Sequence, residues 1–144
     1  MAEVKRKPLN WIPQPGIGFT VVRRLDGGMH FTFTDLDRKT LEAWRGFALQ
    51  HLMDAEGPTR NLYDLRAVGH IPDHAIQFAV EANSDPAARH IRLAVVVTND
   101  DVAAALRKVD ALTALQGVGT EMGLFTNLTA AEEWLNKPFS PLLR

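Results

Sequence analysis

The chain contains no cysteine. That excludes disulfide frameworks, thiolate zinc sites and cysteine nucleophiles together, and it fits a reducing compartment. Serine is almost as scarce, with Ser84 and Ser140 the only two. Both fall in expected loops, so a Ser–His–Asp arrangement is not credible. Neither sign of charge is in excess: 16 Lys and Arg face 17 Asp and Glu, for a formal net charge of −1. Acids and bases are interleaved, without the basic face of a nucleic-acid binder. Long apolar runs are missing too. The longest are Leu93 to Val97 and Val102 to Leu106, against the ~20 residues that a membrane-spanning helix needs. No apolar stretch follows Lys5, Arg6 and Lys7, so a secretory leader is not expected. These absences predict a cytoplasmic protein of bacterial type, without an integral membrane segment or a nucleic-acid partner.

What is present is enough for one domain. The 144 residues are 46% hydrophobic, and a chain of that length buries roughly two-thirds of its unfolded surface. Residues 1–16 read as an N-terminal arm, broken by Pro8, Pro13 and Pro15, with Trp11 and Ile12 expected to fold back onto the body. Residues 17–137 read as the domain and 138–144 as a loose C-terminal tail with two prolines.

Within the domain, Phe19, Val21 and Arg23 alternate with Thr20 and Val22. Asp26-Gly27-Gly28 supplies a turn, and Met29, Phe31 and Phe33 then share one face, which predicts a hairpin. Leu41, Trp44, Phe47, Ala48, His51 and Leu52 recur at helical spacing, behind a cap expected at Thr34 with Asp35 and Asp37 in the first turn. A strand is expected over Asn61–Arg66 and a helix from Pro72, with Ile76, Ala79 and Val80 as its stripe. His90 to Val97, apolar on both faces, reads as a central strand covered by helices. Asn99 or Asp100 caps a third helix that Gly117 closes. A fifth strand is expected over Val118–Phe125. Thr129-Ala-Ala-Glu132 matches a capping box opening the last helix. The order is ββαβαβαβα, an α/β domain with a mixed, mostly parallel five-stranded sheet and four helices.

Three stretches carry a family likeness: Asn61-Leu-Tyr-Asp-Leu-Arg-Ala-Val-Gly-His-Ile71, Ile91-Arg-Leu-Ala-Val-Val-Val-Thr-Asn99, and Leu124-Phe-Thr-Asn-Leu-Thr-Ala-Ala-Glu-Glu-Trp-Leu135. With the element order they resemble the STAS-like domains, namely anti-sigma-factor antagonists, the cytoplasmic domains of sulfate transporters, and a group similar to the CRAL-TRIO lipid carriers. The resemblance implies a regulatory or protein-interaction module. The antagonists carry a phosphorylated serine after the third strand. Here that stretch is Pro72-Asp-His-Ala75, with no hydroxyl side chain, so control by serine phosphorylation is not implied.

The candidate ligand- or partner-binding residues are Asp64, His70, Asp73, His74, Asn99 and Asn127. His70, Asp73 and His74 form a cluster in the loop and first helical turn after the third strand, while Asp64, Asn99 and Asn127, with Asp100 and Thr126, are expected at the carboxyl edge of the parallel strands, where open α/β sheets bind ligands. Helix capping is the plainer reading of the Asn and Thr residues. A metal or acid–base site at Asp64, His70 and His74 is a weaker alternative: Pro72 breaks the helical spacing of the two histidines, and no third metal ligand is visible. No catalytic residue, metal or cofactor is therefore assigned. Phe31, Phe33, Trp44 and Phe47, with Leu52 and Met53 beside them, are candidates for a pocket holding a small apolar ligand or lipid, although a core stripe is the commoner explanation of such residues. Arg89, Arg92, Arg107 and Lys108 read as solvated. The partner is an unknown protein or a small apolar ligand. A homodimer through the arm or an exposed helix is a further possibility.

Overall fold

A computed structural model describes residues 14–54, 58–85, 91–115 and 121–139. Among the described residues nine elements run in the expected order: β1 (Phe19–Arg23), β2 (Met29–Phe33), α1 (Arg38–Asp54), β3 (Thr59–Asp64), α2 (Asp73–Asn83), β4 (Ile91–Val96), α3 (Asp100–Ala114), β5 (Glu121–Phe125) and α4 (Leu128–Leu135). The strands lie side by side in chain order, β1-β2-β3-β4-β5. The β1–β2 hairpin is antiparallel and the remaining pairs are parallel.

Side-chain alternation divides the sheet into two faces. Phe19, Val21, Met29, Phe31, Phe33, Leu93 and Val95 point toward α1, α2 and α3 and form the larger core. Leu62, Ala94 and Val96 point the other way, where Ala131 and Leu135 of α4 cover them. All six residues of β4 are buried, as an apolar run on both faces requires. α4 lies over β3, β4 and β5. Thr20, Val22, His30 and Thr32 occupy the same face on the hairpin beyond it.

The hairpin meets β3 through a close backbone approach. Gly27 turns the chain with φ of +91°, a conformation that glycine adopts without strain. Gly28 then lies against the Arg60 carbonyl, leaving no room for a Cβ. The side chain of the buried Asn61 fills the resulting gap in hydrogen bonding: its Oδ1 accepts from Met29 N at 2.9 Å.

Several local expectations are corrected. Neither Asp35 nor Asp37 lies in the first turn of α1, which begins at Arg38. Asp35 instead accepts from Asp37 N and from the Thr40 hydroxyl, whose oxygen accepts from Gly18 N, and Thr34 is exposed. α4 is capped by Asn127, which accepts from Ala130 N. The capping box does not form, because Glu132 is drawn to Arg24. The buried residues of α2 are Ala75 and Ala82, with Ile76, Ala79 and Val80 only half-buried. Asn99 does cap α3, accepting from Asp101 N and Val102 N. Trp11, Ile12, Gly117 and Val118 lie outside the described residues.

The Gly28 contact gives a first test. Gly28→Ala must push the hairpin away from β3, and is expected to cost about 3 kcal/mol in urea denaturation. Gly27→Ala, in open space but strained by its φ, is expected to cost about 1 kcal/mol.

Candidate functional site

The carboxyl ends of β2 to β5 converge on one edge of the molecule, and most of the predicted polar residues gather there. Leu65 N extends the β3–β4 ladder to Val96 O at 2.9 Å, and the chain then turns, Val68 N donating to Leu65 O at 3.0 Å. Asn99, while capping α3 with its oxygen, donates from Nδ2 to Gly69 O at 3.3 Å. His74, in the first turn of α2, places Nε2 3.0 Å from Leu36 O, joining α2 to the segment before α1. Leu65, Val68 and Ile71 turn inward into the core. Arg66, Ala67, Gly69, His70 and Asp73 are left exposed along the outer rim. The structure thus brings His70, Asp73, His74 and Asn99 together. Asn127 lies at the same edge but serves the α4 layer on the other face.

Asp64 points to the α4 side. Its carboxylate accepts from Arg66 in fork geometry, Oδ1 from Nε at 3.0 Å and Oδ2 from Nη2 at 2.8 Å, with Arg66 N adding a bond to Oδ1 at 3.1 Å. The Arg66 guanidinium holds the carboxyl below its usual range, against partial burial that acts in the opposite direction. Asp64 is therefore an ionised carboxylate with both oxygens engaged, and it does not join His70 and His74 in a shared site. Among the described residues, no group of three or more His, Cys, Asp or Glu is placed to hold a metal ion.

The four aromatic candidates lie in one cluster of rings. Phe31 packs against Phe33, Phe47 and Tyr63 at centroid distances of 5.8, 6.1 and 5.1 Å. Trp44 meets Phe33 at 6.5 Å and Tyr63 at 6.0 Å. Trp44 Nε1 donates to the Tyr63 hydroxyl at 3.0 Å, and burial pushes that hydroxyl up to about 12. A ligand entering here has to displace ring contacts. The side chains of Leu52 and Met53 lie outside the described set.

Two polar groupings escaped the sequence reading. The first surrounds His30, on the face of β2 that α4 leaves open. Arg24, only 8% exposed, bridges Asp26 at 2.9 Å and Glu132 of α4 at 2.7 Å. With Asp64 and Arg66 on the other side, these charges frame the His30 imidazole. Nε2 of His30 is shielded from solvent without a hydrogen-bond partner. Burial is the main reason that the imidazole titrates below its ordinary range. Asp64 and Glu132 oppose that shift, while Arg24 and Arg66 add to it. The alternation Met29-His-Phe-Thr-Phe33 placed His30 opposite the core, but no signal in it could show that α4 would send Glu132 across.

The second grouping closes the opposite end of the sheet. Arg60 and Arg92, in register on β3 and β4, reach under the carboxyl end of α4. Arg60 donates to Leu135 O at 2.6 Å and Lys137 O at 3.3 Å. Arg92 donates to Lys137 O at 2.7 Å, Pro138 O at 3.0 Å and Glu121 at 3.1 Å. The Phe139 ring lies 3.9 Å from the Arg60 guanidinium and 5.4 Å from that of Arg92. Arg92 is therefore buried rather than solvated, and the tail is fastened as far as Phe139. Cations suit a helix carboxyl terminus.

The chain matches no family model, no curated protein and no solved structure. No described helix is long and apolar enough to cross a membrane.

Two predictions follow from these groupings. His30 has a lowered folded-state pKa, so below about pH 6.5 the unfolded chain takes up a proton that the folded chain resists. Stability is then greatest above that pH and falls as the pH drops toward the folded value. Urea midpoints at pH 7.5 and 5.5 are expected to differ more for the native chain than for His30→Gln. Arg92→Ala removes the donor to Pro138 O and Glu121 and one of the two to Lys137 O, and is expected to cost about 3 kcal/mol. It should also quicken chymotryptic cleavage after Phe139.

Proposed function

We propose that this chain is a STAS-like regulatory or protein-interaction module, not controlled by serine phosphorylation, which engages its partner through the rim after β3. The observation supporting this reading is the way that rim is built. The segment from Leu65 to Pro72 buries Leu65, Val68 and Ile71, is tied by Asn99, and adjoins His74 bonded to Leu36. Its outer side offers Arg66, His70 and Asp73 to solvent. A preformed surface loses little conformational entropy on binding, and charged and imidazole groups at its margin supply orientation and specificity.

The other readings draw less support. A carrier of a small apolar ligand would have to open the Phe31–Trp44–Tyr63 cluster, whose rings already occupy one another's faces. An acid–base role at Asp64, His70 and His74 would need groups that are committed elsewhere: Asp64 is forked by Arg66, and His74 is bonded to Leu36.

His70 and Asp73 are both exposed, so replacing them tests the surface without disturbing the core. Affinity capture on the immobilised chain, followed by titration of the captured protein, is expected to give a dissociation constant about tenfold weaker for His70→Ala/Asp73→Ala, the loss of one ordinary interface anchor. Equal capture and affinity with the double variant would sink the assignment of this rim.

A further inference from the structure

We infer that His30 and Asp64 form a proton-operated switch: when the imidazole takes up a proton it claims the Asp64 carboxylate, and the Arg66 guanidinium is let go from its fork into solvent at the rim after β3. The switch acts on the rim proposed above as the partner surface, but it does not rest on that reading.

The strand register brings the two groups together. His30 pairs with Leu62 and Thr32 with Asp64, so Asp64 is the diagonal neighbour of His30 on the adjacent strand. Both side chains lie on the face of the sheet that carries α4, since Met29, Phe31 and Phe33 take the other. From a strand separation of about 4.8 Å and a rise of about 3.3 Å per residue, their Cα atoms are about 8 Å apart. An imidazole and a carboxylate that lean toward each other span that gap. In the structure they do not meet. Nε2 of His30 is shielded from solvent without a hydrogen-bond partner, and Asp64 is turned to Arg66.

A proton changes the balance. A neutral imidazole has one donor and one acceptor, whereas an imidazolium donates from both nitrogens. A shielded N–H that carries positive charge has to find an acceptor. Four charged groups face the ring: Asp64 of β3, Arg66 just after it, Arg24 just after β1, and Glu132 of α4. The two arginines repel the new charge, so the choice lies between the two carboxylates. Taking Glu132 would strip a bond from Arg24, whose side chain is only 7% exposed. Taking Asp64 strips it from Arg66, whose side chain is 44% exposed, and a guanidinium so placed loses little by returning to water. Oδ2 of Asp64, bonded to Arg66 Nη2 alone, is the atom for the imidazolium to claim. Arg66 N keeps its bond to Oδ1, so the backbone turn is retained and only the guanidinium moves. Burial sets the switch on the acid side of the ordinary imidazole range. Asp64, which Arg66 holds below the usual carboxylate range, stays ionised while the imidazole titrates.

The test uses the full native chain, labelled with nitrogen-15, between pH 7 and pH 5. Long-range proton–nitrogen spectra follow the His30 ring, and the Nε–Hε signals follow each arginine. The Arg66 Hε signal is expected to move upfield, as a proton does on leaving a carboxylate, with the same midpoint as the His30 ring, while the Arg24 signal stays. In His30→Gln the Arg66 movement is expected to be lost. In Asp64→Asn the Arg66 signal is expected to lie at its released position already at pH 7, and the His30 midpoint to fall because the attracting charge is gone. An Arg66 signal that stays fixed while His30 titrates overturns the proposal. So does one that moves equally in His30→Gln. Movement of Arg24 in place of Arg66 would assign the imidazolium to Glu132, and unfolding of the native chain before His30 titrates would leave no folded state to switch. Either result overturns it as well.

Discussion

The constraint on which this molecule depends is that β4 is apolar on both faces and has to be covered twice. α1, α2 and α3 answer it on one side and α4 on the other. The two layers are unequal. Three crossover helices span the whole sheet, whereas α4, with eight residues, reaches only β3, β4 and β5. The inequality decides where polar groups can lie within the fold. On the fully covered face buried polar groups pair between elements, as Asn61 does with Met29 N and Trp44 with Tyr63. On the half-covered face the sheet runs out from under α4 into a strip of His30, Thr32 and Asp64, closed at its margins by Arg24 with Glu132 and by Arg66.

The arginines of the α4 layer serve as fasteners. Arg24 joins the hairpin to the helix through Glu132. Arg60 and Arg92 take up the unpaired carbonyls at the other end of α4 and hold Phe139 against their guanidinium faces. A planar guanidinium can bond in its plane and stack above it, and the two sites use both capacities. Lysine at either position would keep the charge and lose the second contact. The cost is two cations held in register on adjacent strands, offset by the carbonyl oxygens, by Glu121 and by the negative end of the helix.

Much of the fold was legible in the sequence. Strand alternation from Phe19 to Phe33 and the apolar run Leu93–Val97 identified the hairpin and the central strand, and of the two caps expected for α3, Asn99 or Asp100, the structure has Asn99. The errors share a cause. Thr129-Ala-Ala-Glu132 has a capping-box pattern, but Asn127 lay two residues earlier and Glu132 found a buried cation, which outweighs a local cap. Arg92 looked solvated because neighbouring sequence positions are charged, while its true surroundings come from residues 121 to 138. At the candidate site the sequence grouped His70, Asp73 and His74 by their nearness along the chain and put Asn99 at the carboxyl edge of the parallel strands, and the bond from Asn99 to Gly69 O joins the two. The sequence could not place Asp64 on the other face with Arg66, nor His30 between two ion pairs, because those contacts depend on where α4 comes to rest.

The strands lie in the sheet in the same order as they occur along the chain, and this has a kinetic meaning. Each new strand pairs only with the one made just before it, so the sheet can extend by successive short loop closures and never has to admit a late strand into its middle. Short-range closure is the cheap kind. α4 is the exception. It turns back from β5 across β4 to β3, with Glu132 reaching Arg24 of the hairpin, and until it does so Leu62, Ala94 and Val96 stand uncovered. The nascent sheet therefore passes through a one-sided stage whose bare face is sticky, and the arrival of residues 127 to 139 brings that stage to an end.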